Sequence, residues 1–194
     1  MKKLTVLSIV ILFFSCNSKK IMVRNPADGN GYIVGAITII NEKPKYSSYG
    51  FKFKPEDKDV TWLYNGDGLA ILRSSPHLKI DNKKVYLFVL ELKVGDYEFY
   101  DYNLVTNTGI GYAIKSSKNK FNIPFKVEAD AINYIGNIAF FPNYNINDTV
   151  ILISDNFEED LGLLKEKYPR KNWQIIQNIT LKEGHISNTL IEFE

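Results

Sequence analysis

An alternation of period two constrains this chain more than any other feature. In the segment from Phe121 to Glu128, the apolar residues Phe121, Ile123, Phe125 and Val127 fall on one side, and Asn122, Pro124, Lys126 and Glu128 on the other. Successive side chains of a strand point to opposite faces, so this register reads as a strand buried on one face. Pro124 has no N–H to give to a ladder, which places the strand at a sheet edge. Other segments with the composition of strands are 32–40, 60–64, 69–73, 84–92, 97–105, 110–115, 132–141, 149–153 and 173–181. The cluster Asn65-Gly66-Asp67-Gly68 tolerates positive φ and marks a hairpin turn between two of them. The segments around Lys118-Asn119-Lys120 and Glu128-Ala129-Asp130-Ala131 read as further connections.

The period changes once. Over 156–168, Phe157, Leu161, Leu164 and Tyr168 recur at the spacing of one helical face. Asp155 and Glu158, three residues apart, have the pattern of a capping box. Glu158, Glu159 and Asp160 stand in the first turn and Lys165 and Lys167 in the last, which complements the helix dipole. Pro169 ends it. Many strands and one late helix predict a mainly β fold, an antiparallel β-sandwich with an appended helix near 156–168.

The N-terminus is different in kind. Lys2 and Lys3 precede an apolar run from Leu4 to Phe14, broken only by Thr5 and Ser8. The run is too short to cross a bilayer, which needs roughly 20 apolar residues, and it suits the h-region of an export signal. The sequence Leu12-Phe13-Phe14-Ser15-Cys16 resembles a lipobox, and Cys16 is the only cysteine in the chain. The resemblance implies a bacterial lipoprotein: 1–15 is a signal peptide, Cys16 carries the lipid, and 16–30 is a flexible tether rich in Asn, Lys and Ser. Residues 31–194 form a single domain. Asn17 is not the acidic residue that resembles an inner-membrane retention signal, so the expected location is the outer membrane, facing the periplasm.

Loss of that signal changes the charge balance. The full chain has 24 Lys and Arg against 22 Asp and Glu, and removal of Lys2 and Lys3 leaves the two equal. A balanced chain argues against nucleic acid as a partner, because phosphate binding needs concentrated positive charge. A lipidated Cys16 leaves no thiol for catalysis or a zinc site.

A second resemblance lies in Leu92-Lys93-Val94-Gly95-Asp96-Tyr97-Glu98-Phe99-Tyr100-Asp101-Tyr102 and continues through Phe125 to Phe140. A strand, a Gly turn and a Tyr two residues on are similar to carboxypeptidase-regulatory-like, prealbumin-type sandwiches found in envelope lipoproteins. The similarity covers roughly 80–170. It implies a small antiparallel sandwich with an accessory role and carries no catalytic residues across.

The sequence offers few candidates for chemistry. His77 and His185 could share a metal with a carboxylate such as Asp81, but neither has ligand spacing, and surface loops account for both. Ser74 and Ser75 lie near His77 without a nucleophile elbow. Gly109-Ile110-Gly111 lacks the third glycine of a phosphate loop and marks a strand start. Asn143, Asn145, Asn147 and Asp148 imitate a calcium loop, but Ser154 stands where its final Glu belongs. No catalytic residue, metal or cofactor is therefore expected. Asp148-Thr149-Val150 resembles a short O-glycosylation acceptor, with Thr149 as its site. Alternation places Tyr97 and Phe99 on one face and Tyr100 and Tyr102 on the other, so the second pair is a candidate aromatic surface. Cross-strand pairing that stabilises the sheet is the alternative.

Three functions remain. The first is a lipid-anchored envelope accessory or binding protein with a protein or glycan partner. The second is an envelope hydrolase acting on glycan or peptide, which needs a cleft gathering His77 or His185 with carboxylates. The third is glycan binding through Tyr100 and Tyr102.

Overall fold

Two sheets face each other across an apolar core, and one helix covers the outer side of the larger sheet. The computed structural model describes residues 27, 29–40, 48–55, 68–72, 76–116, 120–141, 151–183 and 191–194. Its strands are β1 (Asn30–Ile40), β2 (Ser48–Pro55), β3 (Gly68–Leu72), β4 (Leu78–Ile80), β5 (Lys83–Lys93), β6 (Gly95–Asn107), β7 (Tyr112–Ser116), β8 (Ile123–Val127), β9 (Ile132–Phe140) and β10 (Ile151–Ser154). The helix α1 (Phe157–Lys167) follows, then a 3-10 turn (Trp173–Ile175), β11 (Ile176–Asn178) and β12 (Ile191–Phe193). The fold is mainly β, as the periodicity requires. The segment 60–64, the turn at Asn65-Gly66-Asp67 and the signal and tether up to Pro26 lie outside the described residues.

The smaller sheet is antiparallel, in the order β3-β2-β6-β7, with β8 also paired to β6. Among the described residues β8 has β6 as its one ladder partner, so Pro124 does sit on an edge strand. The larger sheet runs β12-β10-β9-β1-β5-β4, with β11 beside β9. It is mixed, so the expected antiparallel sandwich holds for the smaller sheet and only in part for the larger: β1 and β5, β9 and β10, and β4 and β5 are antiparallel, but β1 and β9, β9 and β11, and β10 and β12 are parallel pairs. The reason is the path of the chain. β9 comes to β1 from the other sheet, through the Glu128–Ala131 turn after β8, and β12 reaches β10 only after α1 has crossed the sheet. Neither pairing is made by a hairpin, so nothing forces them antiparallel.

The layers explain which runs are apolar. The core between the sheets holds Ile33, Ile37 and Ile39 from β1, Phe51 and Phe53 from β2, Phe99 and Leu104 from β6, and Ile138 and Phe140 from β9. Its rings meet edge to face, as between Phe51 and Phe140 with centroids 5.6 Å apart. A second cluster lies on the opposite face of the larger sheet, where Tyr32, Val34, Ala36, Leu87, Ile132 and Tyr134 meet Leu161 and Leu164 of α1 and Trp173. Thus β1 and β9 are covered on both sides and buried almost throughout. A strand covered on both sides loses polar alternation and reads as a continuous apolar run.

Two bulges break the simple count of alternate residues. In β6, Lys52 pairs with Asp101 and Phe53 with Phe99, so Tyr100 is the extra residue. In β9, Val34 pairs with Tyr134 and Ala36 with Asn137, which leaves Ile135 and Gly136 opposite the single residue Gly35. Gly136 adopts φ +105°, and a Cβ there would stand 2.9 Å from Thr180 Cγ2. A Cβ on Gly35 would stand 2.7 Å from the Gly136 carbonyl oxygen and 2.8 Å from Phe88. Bulges shift side-chain parity by one. Before this one, Ile132 and Tyr134 face α1; after it, Ile138 and Phe140 face the core.

Other differences from the sequence reading have local causes. No strand is predicted over Ser48–Pro55, Leu78–Ile80 or Ile191–Phe193, yet all three pair. The predicted strand 173–181 survives only as Ile176–Asn178, because the Asn172 side chain accepts from Gln174 N–H and winds the 3-10 turn. The capping box is absent. Asn156 is the N-cap and its side chain makes no capping bond, while Asp155 accepts from Phe157 N–H at 3.2 Å and from the Asn178 amide.

Candidate functional site

The polar residues buried beneath α1 define the candidate site. Thr38 on β1, Asn137 on β9, Ser154 on β10 and Asp160 on α1 are all buried. They border a cleft of about 290 Å³ between α1, the β4–β5 turn and the adjoining ends of β1, β9 and β10. Ile40, Leu78, Val85, Leu152 and Leu163 give it apolar walls, and Asp81, Lys83, Glu159 and Glu194 also line it. The β9 bulge contributes directly. By shifting parity, it turns Asn137 and not Ile138 toward the helix side.

Asp160 is the chemical centre of the cleft. It is 2% exposed, and the Tyr134 hydroxyl donates to its Oδ2 at 2.6 Å. Burial pushes its pKa up to about 6, against the pull of hydrogen bonds from Tyr134 and Asn137. Burial and the neighbouring Asp160 charge hold the Tyr134 phenol far above its ordinary range, so it stays a donor. No cation pairs with Asp160 among the described residues. The Thr38 hydroxyl is buried with no hydrogen-bond partner among the described residues.

A second polar group lies at the opposite end of β1. The Glu91 carboxylate accepts from Ala27 N–H at 2.9 Å, from the Asn30 amide at 3.1 Å and from the Tyr32 hydroxyl at 3.0 Å. These bonds, the Ala27 N–H first among them, hold the Glu91 pKa below its usual value. Burial and the Glu91 bond push Tyr32 up to about 12, and the Lys171 ammonium stands 3.9 Å from the Tyr32 ring centroid. The arrangement fastens the chain where it enters the domain.

The residues singled out in the sequence are dispersed. Cys16, Thr149, His185, Ser74 and Ser75 lie outside the described residues, as does the segment 143–148. The His77 ring accepts from Leu87 N–H through Nδ1 at 2.9 Å, and the His77 backbone N–H donates to the Val85 carbonyl, so His77 extends the β4–β5 pairing. Asp81 takes φ 46° in the β4–β5 turn and lines the cleft, but His77 does not line it. The described residues hold no group of three or more His, Cys, Asp or Glu able to bind a metal. Gly109, Ile110 and Gly111 form the β6–β7 turn, closed by Thr108 N–H donating to the Gly111 carbonyl. Tyr112 and Ile114 beyond it are exposed.

Tyr100 and Tyr102 do not form a shared surface. The bulge at Tyr100 turns Tyr102 toward the core, where its ring lies 4.7 Å from Phe140 and stacks on Phe121 at 6.3 Å. The outer face of β2 and β6 carries charge instead, with Lys52 paired to Asp101 at 3.2 Å and Lys54 to Glu98 at 3.1 Å. Lys54 also lies 5.7 Å from the Tyr100 ring centroid.

Sequence reasoning passed over Thr38, Tyr134, Asn137, Ser154 and Asp160. A signal existed. Thr38 and Asn137 are polar residues inside the apolar runs of central strands, where a polar side chain must find a partner or a cavity. Asp160 sits four residues before Leu164 and three after Phe157, inside the apolar stripe of α1.

The molecule is thus a two-sheet β protein with a helix-covered polar cleft. No family model matches the chain, and no curated protein matches it. Among solved structures it is similar to a leucine-rich repeat protein from Bacteroides thetaiotaomicron, at 10% identity and a TM-score of 0.35. The similarity covers 59% of this chain and spans only 14% of that protein's length.

Proposed function

We propose that this chain is a lipid-anchored binding protein of the bacterial cell envelope, tethered through Cys16 and taking its ligand in the cleft beneath α1. The observation that carries the reading is the cleft itself: apolar walls around a few convergent buried polar groups, the form in which proteins bind small ligands. Tyr134 and Asn137 both donate to Asp160 and hold its carboxyl in place within the cleft. The glycan platform loses support with Tyr102 turned inward.

The tether suits this arrangement. Glu91 fastens Ala27 and Asn30 at one end of β1, and Thr38 borders the cleft near the other. Eight residues of strand separate Asn30 from Thr38, about 26 Å at 3.3 Å per residue. A membrane-held N-terminus therefore enters the domain at the end of β1 away from the cleft.

Cells fed labelled fatty acid provide the test. The chain should incorporate label and fractionate with the outer membrane, and Cys16→Ala should do neither. Label in the variant at the level of the unaltered chain would refute the anchor. Release of product from cell-wall glycan or peptide, abolished by Asp160→Asn, would establish the hydrolase in place of the binding protein.

A further inference from the structure

We infer that the cleft beneath α1 binds a small organic cation, a primary ammonium group on a short apolar stem, with Asp160 as its counter-charge and the Thr38 hydroxyl as an acceptor. This rests on the reading of the cleft as a binding site. Two independent observations meet there. Asp160 is buried with neutral donors only, although a buried carboxylate is costly unless a cation accompanies it. Thr38, 5% exposed, has a hydroxyl with no partner among the described residues. Its neighbours Ile37 and Ile39 point into the core between the sheets, so alternation turns Thr38 to the helix side, where it lines the same cleft.

The capacities match. An ionised carboxylate offers about four acceptor positions. Tyr134 and Asn137 use one each, which leaves places for an ammonium, a group with three donors and no acceptor. Charge selects a cation over an anion, because Asp81, Glu159 and Glu194 line the cleft against Lys83 alone. Ile40, Leu78 and Leu163 flank the polar floor and suit a hydrocarbon stem in preference to a hydrated metal ion.

Binding of this kind depends on pH. Burial places the Asp160 pKa at about 6, so protonation removes the counter-charge in mild acid. The other ionisable groups around it are Tyr134 from β9, Asp155 and Glu159 at the start of α1, Asp81 and Lys83 from the β4–β5 turn, and Glu194 after β12.

The test is a titration of the full chain in neutral detergent with n-butylammonium, 1-butanol and butyrate, followed by the amide resonances of Leu78 and Leu163. Butylammonium should shift both and saturate at pH 7.5, and bind about tenfold more weakly at pH 5. Asp160→Asn should abolish its binding. Thr38→Val removes no hydrogen bond among the described residues, so it should melt no lower than the unaltered chain while binding several-fold more weakly. Butanol or butyrate binding as well as butylammonium would overturn the cation and leave the cleft a binding site. Undiminished binding by either variant would overturn the assigned contacts. If no probe moves the cleft resonances, the inference and the cleft reading fall together.

Discussion

Asp160 carries an electrostatic cost in the folded domain. Its folded pKa of about 6 exceeds the ordinary 3.8, so the folded chain holds this proton more tightly than the unfolded chain. Below pH 3.8 both states are protonated and no cost arises. As pH rises from 3.8 to 6 the unfolded chain ionises first, and stability falls by on the order of 3 kcal/mol. Asp160→Asn should remove that slope: urea melts from pH 4 to 7 should show unfolding free energy declining less with pH in the variant. Parallel curves for the two chains would show that burial does not perturb this carboxyl. A carboxylate kept at such a cost within an apolar stripe marks a candidate functional residue.

The helix α1 shows how packing decides the fate of a short element. Eleven residues form a marginal helix in water, and Gly162 costs about 1 kcal/mol relative to Ala. Leu161 and Leu164 are buried in one apolar cluster with Leu87 of β5 and Tyr134 of β9, and this packing holds the helix in place. Leu161→Ala should lower the unfolding free energy by about 2–5 kcal/mol. Glu166→Ala, on the exposed side, should change it by less than about 0.5 kcal/mol. Chemical denaturation measures both, and similar losses for the two would mean that α1 is not docked. The stripe that holds the helix was legible in Phe157, Leu161, Leu164 and Tyr168. The bulge of β9 was not, because a bulge is defined by the partner strand. Only the pairing of Gly35 against two residues reveals it.

For the whole molecule, the larger sheet separates two tasks. One end of β1 is held to Ala27 and Asn30 through Glu91, and the other borders the cleft. The Glu91 contacts make the first task testable. Its folded pKa lies below the ordinary 4.5, so its stabilising contribution is complete above that value and is lost as pH falls through the folded one. The amide resonance of Ala27 should therefore move on acidification, and Glu91→Ala should place it at the acid position already at neutral pH. An Ala27 resonance insensitive to both would show that Glu91 does not hold Ala27.

The sequence by itself determined the local preferences: strands where apolar residues alternate or run together, one amphipathic helix, an edge at Pro124, and the signal, lipid and tether expectation at Cys16. These follow from periodicity and backbone chemistry, which need no knowledge of neighbours. Tertiary structure decided the parallel pairings of β1 with β9 and β10 with β12, since strand direction depends on the route between sheets. It also decided that Tyr102 faces inward and Asn137 toward α1, because a bulge inverts every later side chain in its strand. The cleft arose in the same way. Thr38, Asn137, Ser154 and Asp160 come from four elements spread over more than a hundred residues, and no local pattern records that folding brings them together.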